Sequence, residues 1–472
     1  MIKEEKLQKI LDIGIALTAE KNPDRLLSYI LDSAMELTNC DAGSLYILKD
    51  GELVFRVMKT ISKGVNLVGK DLKNMPAIKL REENVCAYSA IHKESLNIED
   101  VYNSSLFDFS GPKSYDSNNN YRTCSMVAIP MIDHDGEVIG VMQLINAQDE
   151  SGNVIAFDKE NEHIITSLAS QTAVCLSNMA FVKELDDQMW SFTEALTEVI
   201  DMRTPYNGNH TKNVAKYVGM VADYINELHV KGEEELHFSP DHIKTMVMSA
   251  YLHDIGKVIT PMKVMNKQTR LEGYMKDIES RFEKKMLLLE IDFLKGDIEK
   301  DAYDERVGYI KAALELAHEV DSVGFLSDEL EARIDEYKDL FTDDELVCMR
   351  VKKGTLTAAE RKIMEDHVAA TKQILDKVYF NKSYQEAPIW AARHHEALDG
   401  SGYPNGIDAS ELSVETRILS VADVCDALLA TDRPYKKPLP KEKAFAILES
   451  MADEGKLDMK FVNYLEVCID RL

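Results

Sequence analysis

From Asp158 to Met202 neither proline nor glycine interrupts the chain, and apolar residues recur three and four apart: Val182, Leu185, Met189, Phe192, Leu196 and Val199. Such a stretch favours one conformation, a long helix with an apolar seam along one side. Leu168, Thr172, Cys175 and Met179 extend the seam upstream, although the step from Met179 through Val182 to Leu185 is three plus three and shifts the register. The spacing predicts a parallel coiled-coil homodimer through a connecting helix at 158–202. It also divides the 472 residues into a part before and a part after the helix, each long enough to bury its own core.

A formal net charge of −27 repels nucleic acid and anionic lipid at long range, so neither DNA nor RNA nor a membrane surface is an expected partner. An anionic substrate would have to be held locally, by metal ions or a few cations in a pocket, where screening by salt is weak. Seven cysteines without a CxxC pair, mostly in apolar contexts such as Ala173-Val174-Cys175-Leu176, suit reduced thiols. No run of eighteen apolar residues occurs, and Lys3, Glu4, Glu5, Lys6 and Lys9 rule out the apolar segment of a signal peptide at the start. The expected location is the cytoplasm.

Residues 1 to 40 read as two helices, the second starting near Pro23 with Leu26, Leu27, Ile30, Leu31, Ala34 and Leu37 on one face. Two β-hairpins follow. Ser44 to Leu48 and Leu53 to Met58 flank Lys49-Asp50-Gly51, and Met126 to Ile132 and Val138 to Ile145 flank Asp133-His134-Asp135-Gly136. The polar stretch between them, with Asp116-Ser117-Asn118-Asn119-Asn120, reads as a lid or a plain loop. Helices, then strands, then a long exit helix: this order resembles a GAF sensory domain, here at 1–180. Cyclic-nucleotide-binding members of that family often carry Asn-Lys, Phe and Asp-Glu where this chain has Asn146-Ala147, Phe157 and Asn161-Glu162. Both members of the family's Lys–Asp ion pair are absent together, which strands no charge but leaves the domain's ligand unknown.

After the helix, five separate segments contribute His or Asp: His210, His253-Asp254, His367, His394-His395 and Asp423. Seven candidate ligands, five of them imidazoles and none a thiolate, suit two adjacent divalent ions with positions open for water and substrate, and favour Fe or Mn over structural zinc. His253-Asp254-Ile255-Gly256-Lys257 ends an apolar stretch, Met246 to Leu252, that reads as a buried helix. His394-His395-Glu396-Ala397-Leu398-Asp399-Gly400-Ser401-Gly402-Tyr403-Pro404 leads from a helix into a glycine-shaped loop. The other histidines, among them His92, His134, His163, His229, His237, His242 and His318, read as ordinary core or surface residues.

These two motifs, with Asp423-Val424-Cys425-Asp426-Ala427-Leu428 and Arg433-Pro434-Tyr435-Lys436, resemble the HD-GYP family of bacterial cyclic-di-GMP phosphodiesterases. The resemblance covers 187–472. It implies an all-α metallophosphohydrolase domain behind the GAF domain, in a multidomain α+β chain that hydrolyses cyclic-di-GMP to pGpG, with GMP left open as a further product. It assigns His210, His253 and Asp423 to one metal and His367, His394 and His395 to the other, with Asp254 bridging. Lys257 would offset charge on the phosphoryl oxygens, Gly402, Tyr403 and Pro404 would shape the nucleotide pocket, and Arg433 and Lys436 would contact phosphate and guanine.

Three departures accompany the match. Tyr206 stands where members with a third metal carry Glu, which favours two metals, and Arg203-Thr204-Pro205-Tyr206 replaces the family's Arg-Asp-Pro-Tyr. Lys257 and His367 lie far apart, with Thr260-Pro261-Met262-Lys263-Val264-Met265 and Lys353-Gly354-Thr355-Leu356-Thr357 resembling the two sides of the usual short connection. An insertion at about 270–350 is expected, helical by the spacing of Met275, Ile278 and Phe282, of Tyr303, Val307, Ile310 and Leu314, and of Leu330, Ile334, Tyr337 and Phe341, and read as a solvated antiparallel helix pair. Two rival readings remain: a cyclic-di-GMP receptor without turnover, and a phosphohydrolase for another cyclic dinucleotide or nucleotide.

Overall fold

A computed structural model of the chain describes residues 2–20, 22–203, 209–430 and 439–472. They divide into two units, Met1–Gln188 and Met189–Leu472.

In the first unit, α1 (Ile2–Ala19) and α2 (Pro23–Thr38) precede β1 (Cys40–Lys49) and β2 (Glu52–Thr60). Helix α2 starts where the Asn22 side chain accepts from the Asp24 and Arg25 amides and Pro23 occupies the first turn, and it ends at Asn39 in the left-handed conformation. Asp50 and Gly51, at φ 52° and 78°, make the tight turn between β1 and β2. Then come β3 (Val65–Val68), β4 (Ile78–Lys79), α3 (Val85–His92), β5 (Leu96–Ile98), α4 (Ser110–Asn119), β6 (Met126–Ile132), β7 (Val138–Gln148), β8 (Val154–Ile155) and the start of α5 (Lys159–Asp201). The sheet order is β3-β2-β1-β7-β6-β5, antiparallel throughout, and β1 against β7 joins the two hairpins.

Alternation along each strand gives the sheet two buried faces. Leu45, Val127, Ile129 and Leu144 face α1, α2 and α5, while Tyr46, Met126, Ala128 and Val141 face the side of α3 and Phe109. The stretch between the hairpins is more ordered than a loop. Asp116 to Asn119 close helix α4, whose polar composition hides it, because the buried Asp116 carboxylate holds it by accepting from the Thr123 amide (2.8 Å), the Thr123 hydroxyl (2.9 Å) and the Tyr102 hydroxyl (2.9 Å).

Helix α5 is, among the described residues, the one helix long and apolar enough to cross a membrane by length and composition, although no continuous apolar run exists in it; 33% of that window is buried. Its inward positions explain the apolar count, since Ile165, Leu168, Ala169, Ala173 and Leu176 belong to the core of the first unit. Further along, Met189, Trp190, Leu196 and Ile200 pack against Met248, Leu252 and Tyr384, and the Trp190 indole donates to the Tyr384 hydroxyl at 3.0 Å. Of the predicted seam, Val182, Leu185, Phe192 and Val199 are exposed.

The second unit continues with α6 (His210–Lys231), α7 (Pro240–Leu252), a 3-10 turn at Ile255–Ile259, α8 (Met262–Met265), α9 (Met275–Lys295), α10 (Lys300–Ser322), α11 (Asp328–Glu336), α12 (Asp343–Met349), α13 (Ala358–Leu375), α14 (Ala387–Ala391), α15 (Val414–Leu429), α16 (Lys441–Asp453) and α17 (Met459–Asp470). Helices α6, α7, α15, α16 and α17 share one core, including Val218, Met246, Leu419, Phe445 and Phe461. Helices α9 to α12 have another: Ile278, Phe282, Ile310, Leu316, Val320, Ile334, Phe341 and Met349. This segment is therefore more than a solvated helix pair. On α10 the expected Ile310 and Leu314 join this core while Tyr303 and Val307 do not, and the buried face continues through Ala313, Leu316, Ala317 and Val320, because α11 and α12 pack on this helix.

Candidate metal centre

Four helices and one loop bring the seven residues together. His210 is the first residue of α6, His253 caps α7 with Asp254 next, His367 lies inside α13, His394 and His395 follow α14, and Asp423 lies inside α15. All but His395 are buried. Gly256 lets the turn after Asp254 press against α13, where a Cβ would collide with the His367 carbonyl and the Thr371 amide. The Thr371 hydroxyl ties the same two segments, donating to the His253 carbonyl and accepting from the Gly256 amide, each at 3.0 Å.

Three imidazoles are oriented alike. Nδ1 of His253, His367 and His394 donates to the carbonyl three residues earlier, at 2.6, 2.6 and 2.7 Å. A carbonyl only accepts, so Nδ1 carries the proton and Nε2 presents a lone pair. His210 starts its helix and uses a carboxylate instead, with Nδ1 2.7 Å from Asp426 Oδ2. Asp254 faces both sides: Oδ2 lies 3.2 Å from His253 Nε2 and 3.6 Å from His210 Nε2, while Oδ1 lies 3.4 Å from His367 Nε2. Asp423 Oδ1 is 3.2 Å from His210 Nε2 and 3.7 Å from His253 Nε2, and its Oδ2 is 3.8 Å from His395 Nδ1.

Burial opposes charge on both aspartates, yet His253, Lys257 and His210 around Asp254, and His210, His253 and His395 around Asp423, hold both carboxyls well below the usual range. Burial also opposes a charge on His210, but hydrogen bonds to Asp254, Asp423 and Asp426 raise its pKa well above the ordinary imidazole value. His394 and His395 go the other way. Burial lowers both, assisted at His394 by the neighbouring His395 and His253, and His395 falls to about 4, so both rings are neutral.

His253 Nε2, His367 Nε2, His394 Nε2 and Asp254 Oδ1 are buried without a hydrogen-bond partner. Four such atoms in one cluster would each cost on the order of 1–3 kcal/mol, and a cation is the ligand that three lone-pair nitrogens and a carboxylate can share. His367, His394 and His395 form one group able to hold a metal ion, and His210, His253 and Asp254 another. The donor set fits divalent transition metals.

The Lys257 ammonium meets the Asp254 carboxylate, but from the 3-10 turn and not from a continued helix. Tyr403 packs against His395 with ring centroids 4.9 Å apart. Burial, then the charges of Asp423, Glu365 and Asp254, push its phenol up, and Arg361 opposes them. At Gly402 a Cβ would strike the Ala397 amide, and the buried Glu396 carboxylate clamps the loop after Pro404 by accepting from the amides of Asn405 (2.8 Å), Gly406 (3.0 Å) and Ile407 (3.2 Å). Arg203 donates to the carbonyls of Lys257, Val258 and Thr260, bracing the turn. Thr204, Pro205, Tyr206, Arg433 and Lys436 lie outside the described residues.

Sequence reasoning gave Asp426, Glu396 and Thr371 no role. Asp426 carried a usable signal, since it follows Asp423 by three residues and a helix puts both on one face. Of the remaining histidines, His242 pairs with Glu415 at 2.7 Å and His92 with Glu82 at 3.2 Å.

The arrangement is a cluster of candidate metal ligands in a helical unit that follows an α+β unit along the chain. Family models match a GAF domain at residues 22–176 and an HD domain at residues 340–461. The chain carries both. The HD match begins downstream of His210 and His253-Asp254, with α9 to α11 lying between. The chain is 44% identical over 98 residues to the 3'3'-cGAMP-specific phosphodiesterase 3 of Vibrio cholerae, covering 21% of this chain and 20% of that one. It is 33% identical over 161 residues to a cyclic di-GMP phosphodiesterase of Thermotoga maritima, covering 34% and 42%. With the cyclic di-GMP phosphodiesterase response regulator RpfG of Xanthomonas campestris it shares 40% over 107 residues, covering 23% and 27%. The chain thus spans between 20% and 42% of the length of these relatives. A solved GAF domain/HD domain protein from Geobacter sulfurreducens is 16% identical, covers 35% of this chain and 98% of its own, and superposes with a TM-score of 0.27.

Proposed function

We propose that this chain is a metal-dependent phosphodiesterase that opens cyclic-di-GMP to pGpG, regulated by its GAF domain. One observation carries the reading: the two oxygens of Asp254 turn toward two different histidine groups, with partnerless ring nitrogens around them. In this reading His210, His253 and Asp423 hold one divalent ion, His367, His394 and His395 the other, Asp254 lies between, and the ions are Fe or Mn. When bound, the pair supplies Lewis acidity toward phosphoryl oxygens and an activated water.

The chain does the rest. Carbonyl-bound Nδ1 atoms fix three rings so that no reorientation accompanies binding. Lys257 offsets negative charge beside Asp254, and Tyr403, held by the Glu396-clamped loop, walls the cleft next to His395. Arg433 and Lys436 are the proposed phosphate and guanine contacts. The complete ligand set favours turnover over a receptor role. Relatives named for 3'3'-cGAMP keep a hybrid cyclic dinucleotide as the second reading of the substrate.

The proposed organisation is a GAF domain at 1–180, a connecting helix at 158–202 and a catalytic domain at 187–472, in a cytoplasmic homodimer. Leu185, Phe192 and Val199, seven apart and 49%, 64% and 61% exposed, support a seam along α5. Glu at Leu185 and Phe192 should give monomers by light scattering, and an unchanged mass rejects the seam. Chromatographic assay of protein loaded with Mn, or anaerobically with Fe, should show pGpG appearing from cyclic-di-GMP faster than the products of other dinucleotides. No cleavage of any cyclic dinucleotide by metal-loaded protein contradicts the reading.

A further inference from the structure

The Nδ1 bonds of His253, His367 and His394 end on carbonyls of their own segments, those of Ala250, Met364 and Ala391, so they fix how each ring is turned but not how far apart the segments stand. The bond between His210 and Asp426 joins α6 to α15, two elements that serve the same proposed ion. Spacing between the two ligand sets needs ties of another kind. Two divalent ions on either side of Asp254 repel each other, and the repulsion acts on the helices that carry their ligands.

Two buried hydroxyls supply such ties. Thr371 lies one turn after His367 on α13 and is fully buried, and its hydroxyl donates to the His253 carbonyl and accepts from the Gly256 amide, each at 3.0 Å. Ser420, also buried, lies one turn before Asp423 on α15. Its single hydrogen has two carbonyls in reach, that of His394 at 2.6 Å and that of Thr416, in its own helix, at 3.0 Å, and the shorter contact is the one to His394. The two ties cross. Thr371 runs from the helix of His367 to His253 of the other set, and Ser420 runs from the helix of Asp423 to His394, the reverse direction. Both end on main-chain oxygens of ligand residues, so the ring nitrogens stay available, and hydrogen bonds shielded from water hold such a distance more firmly than exposed ones.

We infer that Thr371 and Ser420 are positioning residues that set the separation of the two ion sites; the inference rests on reading the cluster as a two-metal phosphodiesterase centre. The test loads the full chain and its variants Thr371→Val, Thr371→Ser and Ser420→Ala with two equivalents of Mn. Valine keeps the shape of threonine without the hydroxyl, and serine keeps the hydroxyl. Two quantities are read on each sample: the electron paramagnetic resonance spectrum, in which a pair of ions held close shows exchange coupling in place of the signal of isolated Mn, and kcat and KM for cyclic-di-GMP. Thermal unfolding of the metal-free variants records stability separately.

Thr371→Val and Ser420→Ala should each weaken the exchange coupling and lower kcat about ten- to a hundredfold, with KM nearly unchanged because neither residue touches the substrate in this reading. Thr371→Ser should restore both quantities. A loss of stability alone, with the coupled spectrum and kcat of the unmodified protein retained in both variants, overturns the inference. A Thr371→Ser protein that behaves like Thr371→Val also overturns it. If Thr371→Val does not fold, Ser420→Ala, which removes a single oxygen, decides on the same two quantities. If the unmodified protein shows the coupled pair but cleaves no cyclic dinucleotide, the phosphodiesterase reading fails while the coupling in the variants still decides the positioning role. If it shows no coupled pair, both fail.

Discussion

Two regions of this chain treat their buried polar atoms in opposite ways. In the first unit a pocket of about 380 Å³ lies against the sheet, lined by Tyr46, Phe55, Phe109, Tyr115 and Gln143 among others. Its buried polar groups satisfy one another: the Tyr46 hydroxyl donates to Gln143 Oε1 at 2.8 Å, and Gln143 Nε2 donates to Met126 Sδ at 3.0 Å. In the second unit the cluster around Asp254 leaves four buried atoms without partners. A self-satisfied pocket is stable as it stands. An unsatisfied cluster is destabilising until a ligand of opposite charge completes it, which marks it as a metal centre.

The largest effect that can break this contrast is at the proposed bridge. Asp254→Ala should lower hydrolysis by about a thousandfold or more and reduce bound metal, as read by product chromatography and elemental analysis of one sample. Chelation should act on one region only. At metal concentrations near a thousand times Kd, bound ions contribute about 4 kcal/mol, so stripping them should lower the unfolding temperature of the second unit by roughly 10 °C in calorimetry and leave the first unit's transition in place. Asp426→Asn should keep the fold and weaken metal affinity about ten- to a hundredfold in a chelator competition, because His210 loses the carboxylate that orients it.

The self-satisfied pocket sharpens the contrast from the other side. Tyr46→Phe should cost about 1–2 kcal/mol by stranding Gln143, and the double variant Tyr46→Phe with Gln143→Leu should recover much of that, as chemical denaturation would show. The smallest effect is at Glu234, where burial opposes charge but Lys460, the Leu236 amide and Tyr464 hold the pKa down to about 2 from an ordinary 4.5. Its folded value is depressed, so its contribution is complete above about pH 4.5 and is lost as pH falls toward 2. Lys460 is 41% exposed, so solvent screening limits the contribution to roughly 1 kcal/mol; Glu234→Gln should remove that much of the stability difference between pH 6 and pH 3.

The same contrast explains what was legible in the sequence. His and Asp are side chains that ligate divalent metals, so His210, His253, Asp254, His367, His394, His395 and Asp423 could be named as candidates once the motifs around them set them apart from the other histidines, and α5 from its unbroken helical spacing. Residues that act by position were not legible. Glu396 looks like any acid until the loop turns three amides onto it, and Asp116 sits in a stretch whose polar composition hides a helix. The core of α9 to α12 was misjudged for a related reason, since helical spacing shows that a face is apolar but not which later helix covers it.

The central claim is that Asp254 lies between two bound ions. Elemental analysis of the reconstituted protein, run beside Asp254→Ala, tests it most directly. The account predicts two equivalents of Fe or Mn per chain in the unmodified protein and at most one in the variant. Two equivalents in both, or none in either, would contradict it.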